Sequence, residues 1–326
     1  MDTVRKPLAS GLMEIMVPAV KRITSLLLQT KHAQMGQRGD QNVDKFRLPN
    51  VARVSIHSPL RYPGGKSRWY FYIKKWILKT QPSILLEPFA GGAHVGLAVA
   101  IEEWGRRNVE KVILVELDDQ VAAVWKTILS EDAEWLTNQI QKFEMNRSNV
   151  RRVIKEKDKS TRHRAFAMIV QNRISRGGIT TSGSGWLKYG ENDKGLKSRW
   201  YPDTLSDRIE RINRFNESIE FIHGDAFELW PEYLDRSEVA SFVDPPYPVK
   251  SERLYKHNEV NHEKVFRLFD KSVGSSIMTY GKSDMAIKLV NNFDLEYVNI
   301  VVSNTHNKKT EEMIIGKGLD WLSNLK

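Results

Sequence analysis

The sequence predicts an α/β protein: a doubly wound, mainly parallel sheet with a small, mostly helical domain inserted into it. Three observations carry this. Short apolar runs alternate with helix-length segments along most of the chain, a glycine turn directly follows one such run, and the alternation fails over one long basic stretch.

Residues 1–58 read as a basic N-terminal extension. Leu8 to Leu28 is fairly apolar, but Glu14, Pro18, Lys21 and Arg22 interrupt it, which suits an accessory amphipathic helix rather than a membrane span or a signal segment. Residues 31–58 are polar and lack a sustained period, as in a linker or loosely held arm. Regular structure is expected from near Pro59. Between Ser67 and Thr80, the residues Trp69, Tyr70, Ile73, Trp76 and Ile77 recur at three- and four-residue spacing, as one face of a helix requires.

Apolar runs then mark strands at Ile84–Leu86, Lys111–Leu117, Ile219–Ile222, Val239–Val243, Ser276–Thr279 and Leu295–Val302. Helix-length segments lie at Ala93–Trp104, Val121–Ser130, Glu263–Val273 and Ser283–Asn292. The polar stretch Ser303–Thr310, followed by Glu312–Ile315, suits a terminal antiparallel strand pair. From about Thr127 to Phe215 the alternation breaks. Lys and Arg are dense there, and a Gly/Ser/Thr run, Gly177–Gly185, lies in the middle. The expected organisation is a ligand-binding core from residues 59–126 and 216–326, with 127–215 as the insertion; Trp186, Trp200 and Tyr201 read as the insertion's own core.

The chain has no cysteine, which excludes disulfides, thiolate metal sites and cysteine nucleophiles and points to a reducing, cytoplasmic setting. The histidines show no ligand spacing, so no metal site is expected, and the glycine turns lack the P-loop pattern of phosphoryl transfer. The formal net charge is +10. Residues 142–214 hold eighteen Lys and Arg against eight Asp and Glu, and residues 1–58 hold nine against four. Everything else sums to −5, so a mildly acidic core carries basic attachments suited to a polyanion.

Two features point to an adenosine-containing ligand. Leu85-Leu86-Glu87-Pro88-Phe89-Ala90-Gly91-Gly92-Ala93 reads as strand, tight turn and helix start, bringing backbone amides against a nucleotide-like group. The strand Val112–Val115 ends at Glu116, where an acid can bind both ribose hydroxyls. Taken alone, Gly91, Gly92 and Gly96 would equally serve close helix–strand packing.

Phe242-Val243-Asp244-Pro245-Pro246-Tyr247 is more specific. Two prolines fix φ and remove amide donors, so the Asp244 carboxylate and the Pro245 carbonyl are held as acceptors at a strand's carboxyl end. An exocyclic amine conjugated with a base ring is a poor nucleophile. Accepting both of its hydrogens favours a pyramidal, more nucleophilic nitrogen, and the Tyr247 ring offers a face for stacking an extruded base. The bland alternative is a rigid turn in which Asp244 caps an amide and Tyr247 packs.

With these motifs in this order, the chain resembles the Dam-like family of DNA adenine N6-methyltransferases from about Pro59 to Gly318. Arg61-Tyr62-Pro63-Gly64-Gly65-Lys66 resembles the family's opening cofactor motif and Glu87–Gly92 its glycine-rich motif; His223-Gly224-Asp225-Ala226 resembles the segment whose acid meets the cofactor adenine. Asp244-Pro245-Pro246-Tyr247 matches the catalytic signature, and Asn304–Glu312 is similar to the polar loop before the last strand.

The resemblance implies a Rossmann-like class I methyltransferase core and S-adenosylmethionine as cofactor. It implies a cofactor site of Tyr62, Lys66, Glu87, Phe89, Gly91, Gly92, Glu116, Asp225 and Asp244, and a catalytic set of Asp244, Pro245, Pro246 and Tyr247. Duplex DNA is the implied partner. Candidate contacts to it are Arg147, Arg151, Arg152, Arg162, Arg164, Arg173 and Arg176, with 127–215 as the target-recognition domain. A cognate restriction nuclease is a partner that such an activity can have. Glu116 stands where the family commonly has Asp, and the insertion resembles other members only around Gln171-Asn172-Arg173. The rival readings are a cytosine N4-methyltransferase, disfavoured by Asp rather than Ser before Pro-Pro; an RNA or protein amine methyltransferase; and a non-catalytic nucleic-acid-binding relative. Cytosine C5 methylation needs a thiolate and is excluded.

Overall fold

Nearly continuous apolar runs become the central strands, as parallel strands covered on both faces require. In the computed structural model these are β1 (Ile84–Glu87), β2 (Lys111–Glu116), β4 (Val239–Val243) and β5 (Ser276–Gly281); the partly exposed β3 (Ile219–His223) forms the sheet edge beside β2, and all five are parallel. A terminal hairpin, β6 (Glu296–Ser303) and β7 (Lys309–Gly316), adds antiparallel to β5 through β7. The sheet order is β3-β2-β1-β4-β5-β7-β6. Strand order reverses between β1 and β4, and the crevice outside their carboxyl ends is where open α/β sheets take ligands.

The structure describes residues 48–49, 53–62, 64–178, 185–188, 195–247, 260–303 and 309–323, all within one compact unit spanning Leu48–Lys326. The expected helix over Leu8–Leu28 and the arm to Arg47 lie outside them. So do Ile179–Ser184 of the glycine-rich run and Asn304–Lys308 of the polar loop.

Helices cover both faces. On one side α1 (Tyr70–Thr80) packs on α2 (His94–Ile101), and α2 and α3 (Asp119–Ile128) lie against the sheet. On the other, Phe266 and Phe269 of α9 (His262–Lys271) and Val290 of α10 (Asp284–Asn292) join Leu86, Val243, Met278 and Trp230 in one buried cluster. Each fully buried side chain of this size stabilises the fold by roughly 1.5–3 kcal/mol before entropy is counted. The helix expected over Ala93–Trp104 breaks at Glu102, whose backbone turns extended while its carboxylate meets His57 Nε2 at 2.9 Å.

Among the described residues of 127–215, α4 (Asp132–Lys142), α5 (Arg147–Glu156), α6 (Thr161–Ile174) and α7 (Pro202–Asn213) form a helical layer. Asn146 and Ser160 cap α5 and α6 with their side chains. The layer packs onto the core, α6 along α3 and α7 along α4, and α3 itself runs past residue 127. Tyr201 is not core: it is 52% exposed at the start of α7. Among the described residues, no helix is long and apolar enough to cross a membrane.

Candidate active site

β1 delivers the chain into a tight turn with left-handed backbone at Gly91 and Ala93. Gly91 has φ +47°, and a Cβ there would lie 2.6 Å from the Tyr62 ring. Its amide donates to Glu116 Oε2 at 2.7 Å, and its carbonyl accepts from the buried Trp125 indole at 3.0 Å. A Cβ on Gly92 would meet both Tyr62 and His94 at 2.8 Å. The turn is thus gripped by residues from β2, from α3 and from the segment before α1. Phe89 sits edge-on to Phe227 and Trp230.

Acids line the carboxyl ends of successive strands. Glu116 ends β2, and its second oxygen accepts from the Asp118 amide at 2.7 Å. Burial pushes its carboxyl up to about 7, partly opposed by the amides of Asp118 and Gly91. Asp225 follows β3 and caps α8 (Ala226–Leu229) by accepting from the Phe227 amide at 2.8 Å. Glu87 ends β1 but turns inward: it is 4% exposed, accepts from the Gly96 amide at 2.8 Å, and burial pushes it up to about 8. That contact ties β1 to α2, so the Glu87 carboxylate faces the helix rather than the crevice.

A pH dependence follows from Glu116. Ribose hydroxyls donate to a carboxylate, so a ribose held by Glu116, the role proposed below, would favour the ionised form that burial disfavours. Below about pH 7 the bound state must therefore displace a proton. Cofactor affinity should rise from pH 6 to pH 8, and Glu116→Gln should flatten that rise while weakening binding overall. Titration calorimetry at three pH values checks both.

The densest polar cluster surrounds Asp244 just after β4. Lys66 Nζ lies 2.9 Å from Asp244 Oδ2 and donates to the Gly64 carbonyl at 2.8 Å. Thr279 of β5 and the Tyr247 hydroxyl donate to Asp244 Oδ1 at 2.7 and 3.0 Å. Lys66 is buried, which works against its charge, but Asp244 and Glu312 more than offset this and hold it above the ordinary lysine value. Its ammonium also lies 5.2 Å from the centre of the Tyr247 ring, which tilts against Tyr280 at 5.3 Å. Burial and the adjacent Asp244 carboxylate push the Tyr247 phenol well above its usual range, so it is a donor at any working pH.

The arginines of the insertion divide. Arg147 and Arg151 lie four apart on the exposed side of α5, opposite buried Val150 and Val153, with exposed Lys155 a further turn on. Arg152 pairs with Glu156, Arg164 with Asp158 and Arg162 with Asp132, the last also stacking over Trp135. Arg176 is exposed. Arg173 corrects the sequence reading: it is 4% exposed, its guanidinium donates to the Pro59 carbonyl, and burial lowers it to about 9. Beside it, fully buried Asn172 accepts from the Arg61 amide at 2.8 Å and donates to the Arg61 and Gly178 carbonyls, both at 2.9 Å. The Asn172-Arg173 pair fastens the insertion to the segment carrying Tyr62 and Lys66.

Of the residues expected from sequence, the structure gathers Tyr62, Gly91, Gly92 and Glu116 in one place and Lys66, Asp244 and Tyr247 in another. Sequence reasoning missed Thr279, Trp125 and Glu312. Trp125 and Thr279 follow no motif, and Glu312 was read as the end of a polar loop and the start of the last strand, not as a site residue. Among the described residues, no group of three or more His, Cys, Asp or Glu could hold a metal ion.

The backbone cradle at Gly91–Gly92 and the acid at the end of β2 fit an adenosine-type cofactor on this chain's own donor set. Residues 62–314 match the family of D12 class N6 adenine-specific DNA methyltransferases. No curated protein is similar at a significant level. Several solved structures are distantly similar. One is a provisionally assigned RNA methyltransferase from Pyrococcus horikoshii, at 9% identity over 88% of this chain and 98% of that one, with TM-score 0.36. An rRNA methylase from Streptococcus thermophilus has 11% identity over 76% and 96%, with TM-score 0.33. An S-adenosylmethionine-dependent methyltransferase from Neisseria gonorrhoeae has 11% identity over 82% and 73%, with TM-score 0.30. The family match covers most of the chain, from the Tyr62 segment through Asp244 to β7, and the protein therefore belongs to the D12 class N6 adenine-specific DNA methyltransferases, which use S-adenosylmethionine.

Proposed function

We propose that the enzyme methylates adenine at a fixed sequence in duplex DNA, acting on a base flipped into the crevice beside Asp244, in the cytoplasm. The single observation that carries this reading is the Asp244 carboxylate. It is anchored by Lys66, Thr279 and Tyr247 at the switch point between β1 and β4. A carboxylate offers about four acceptor positions. Three are filled from within the fold, which fixes its orientation and leaves one for an incoming amine.

S-adenosylmethionine, held by Tyr62, Lys66, Phe89, the Gly91–Gly92 amides, Glu116 and Asp225, would supply a methyl group activated by a sulfonium. The protein's own contribution is positioning and a fixed field. Asp244 accepts one hydrogen of the adenine amino group and the Pro245 carbonyl the other. Pro246 keeps that carbonyl from rotating away, and Tyr247 stacks on the base. As positive charge develops on the amine nitrogen, the carboxylate is already oriented to stabilise it. No covalent link to the protein is needed.

The helical layer 127–215 would carry target recognition, with phosphates met first by Arg147, Arg151 and Arg176, and by Arg152, Arg162 and Arg164 after release from their present partners. Arg147→Gln with Arg151→Gln should weaken duplex binding and lower the slope of log affinity against log salt by roughly 0.9 per lost phosphate contact. Fluorescence anisotropy at three salt concentrations measures it, and an unchanged slope would remove α5 from the interface. Single-molecule sequencing of DNA from a host expressing the protein tests the wider proposal. N6-methyladenine at one recurring motif supports it, whereas scattered or absent marks contradict sequence specificity. A cognate nuclease, if one is paired with the enzyme, would cut that same motif when it is unmethylated.

A further inference from the structure

Glu312 lies on β7 opposite Gly281 of β5 and reaches the Asp244 cluster from the sheet's antiparallel side. Its Oε2 is 3.9 Å from Lys66 Nζ, and this buried oxygen has no hydrogen-bond partner. Lys66 is already bonded to Asp244 and to the Gly64 carbonyl. Lys66 thus faces two carboxyl groups, those of Asp244 and Glu312, one acid more than a single ammonium can match. Glu87 does not alter that count, because burial pushes it up to about 8 and it is mostly protonated at neutral pH.

A buried carboxylate oxygen without a donor costs stability, and removing such a charge from water is repaid only when an opposite charge meets it. Lys66, shared with Asp244 and 3.9 Å away, returns that cost only in part. A ligand carrying one net positive charge would return the rest. S-adenosylmethionine is such a ligand: its amino-acid end is zwitterionic and its sulfonium adds one charge. The product after methyl loss is a thioether with no net charge.

We infer that Glu312 is a positioning residue whose surplus charge makes this pocket select the cationic methyl donor over its neutral product. The inference rests on the cofactor reading above. Such a device favours loading and product release without touching the reacting atoms, and it acts together with Asp244 through Lys66.

The test is titration calorimetry at pH 7.5 on the full chain and on Glu312→Gln, which keeps the shape and loses the charge. Three ligands are used: S-adenosylmethionine, S-adenosylhomocysteine, and sinefungin, which carries an ammonium in place of the methylsulfonium. The substitution should weaken both cationic ligands about tenfold, as loss of one nearby charge in a partly buried site implies, and should leave S-adenosylhomocysteine within about twofold. Equal weakening of all three would assign Glu312 to packing and overturn the inference, as would an unchanged ratio. Wild-type protein supplies an arm independent of the variant's folding. Equal affinity for the donor and the thioether contradicts the inference, and failure to bind any of the three rejects the cofactor reading itself.

Discussion

Asp244→Asn should lower the methyl-transfer rate by about a hundredfold to a thousandfold, the usual consequence of losing one preorganised charge-stabilising group. The change is nearly isosteric, so packing is preserved and the effect falls on charge and hydrogen bonding. If the remaining oxygen keeps the Thr279 and Tyr247 donors, the new amide nitrogen faces the Lys66 ammonium 2.9 Å from the lost oxygen, donor against donor. If the amide flips, Thr279 and Tyr247 lose their acceptor instead. Either arrangement misorients the group that must receive the adenine hydrogen. Single-turnover rates at saturating cofactor and duplex measure the effect, and a rate within tenfold of wild type would remove Asp244 from the chemistry.

Gly91→Ala should act on binding instead. The substitution meets two obstacles: a left-handed backbone, costing a non-glycine residue about 1–2 kcal/mol, and a Cβ 2.6 Å from the Tyr62 ring. Relief requires Tyr62 to move or the turn to reopen. Reopening would pull the Gly91 amide from Glu116 and its carbonyl from Trp125. Cofactor dissociation constants should rise at least tenfold, by roughly the 1.4 kcal/mol that a decade represents, while the rate at saturating cofactor stays within a few-fold. Equilibrium binding and turnover, measured on one preparation, separate the two. A variant with unchanged affinity but lowered turnover would show that the turn serves catalysis rather than binding.

The centre of the sheet was legible because parallel strands, buried on both faces, print themselves as apolar runs; the edge strand β3 and the terminal hairpin also lie within a few residues of their expected places. The motif residues were legible because tight turns and rigid acceptors need rare residue types: glycine at positive φ for Gly91, consecutive prolines after Asp244. What escaped reading has a common cause. Thr279, Trp125 and Glu312 enter the site through strand register and helix packing, and a lone Thr, Trp or Glu carries no spacing that announces such a meeting. Arg173 failed for the complementary reason. In sequence it is one cation among many in a basic segment, and only the path of the Pro59–Tyr62 segment shows that its guanidinium supports backbone.

The helix broken at Glu102 makes the same point within a single element. Residues 93–104 hold helical periodicity, yet the chain turns extended at Glu102, where its carboxylate meets His57 from 45 residues earlier. A local pattern yielded there to a partner that no local window contains.

The most direct measurement incubates the purified enzyme with duplex DNA and isotopically labelled S-adenosylmethionine, then digests the product to nucleosides for mass spectrometry, with the Asp244→Asn variant alongside. Label in N6-methyl-2′-deoxyadenosine from the duplex, nearly abolished in the variant, is the expected result; label in N4-methyl-2′-deoxycytidine, or equal adenine labelling by both proteins, would contradict the account.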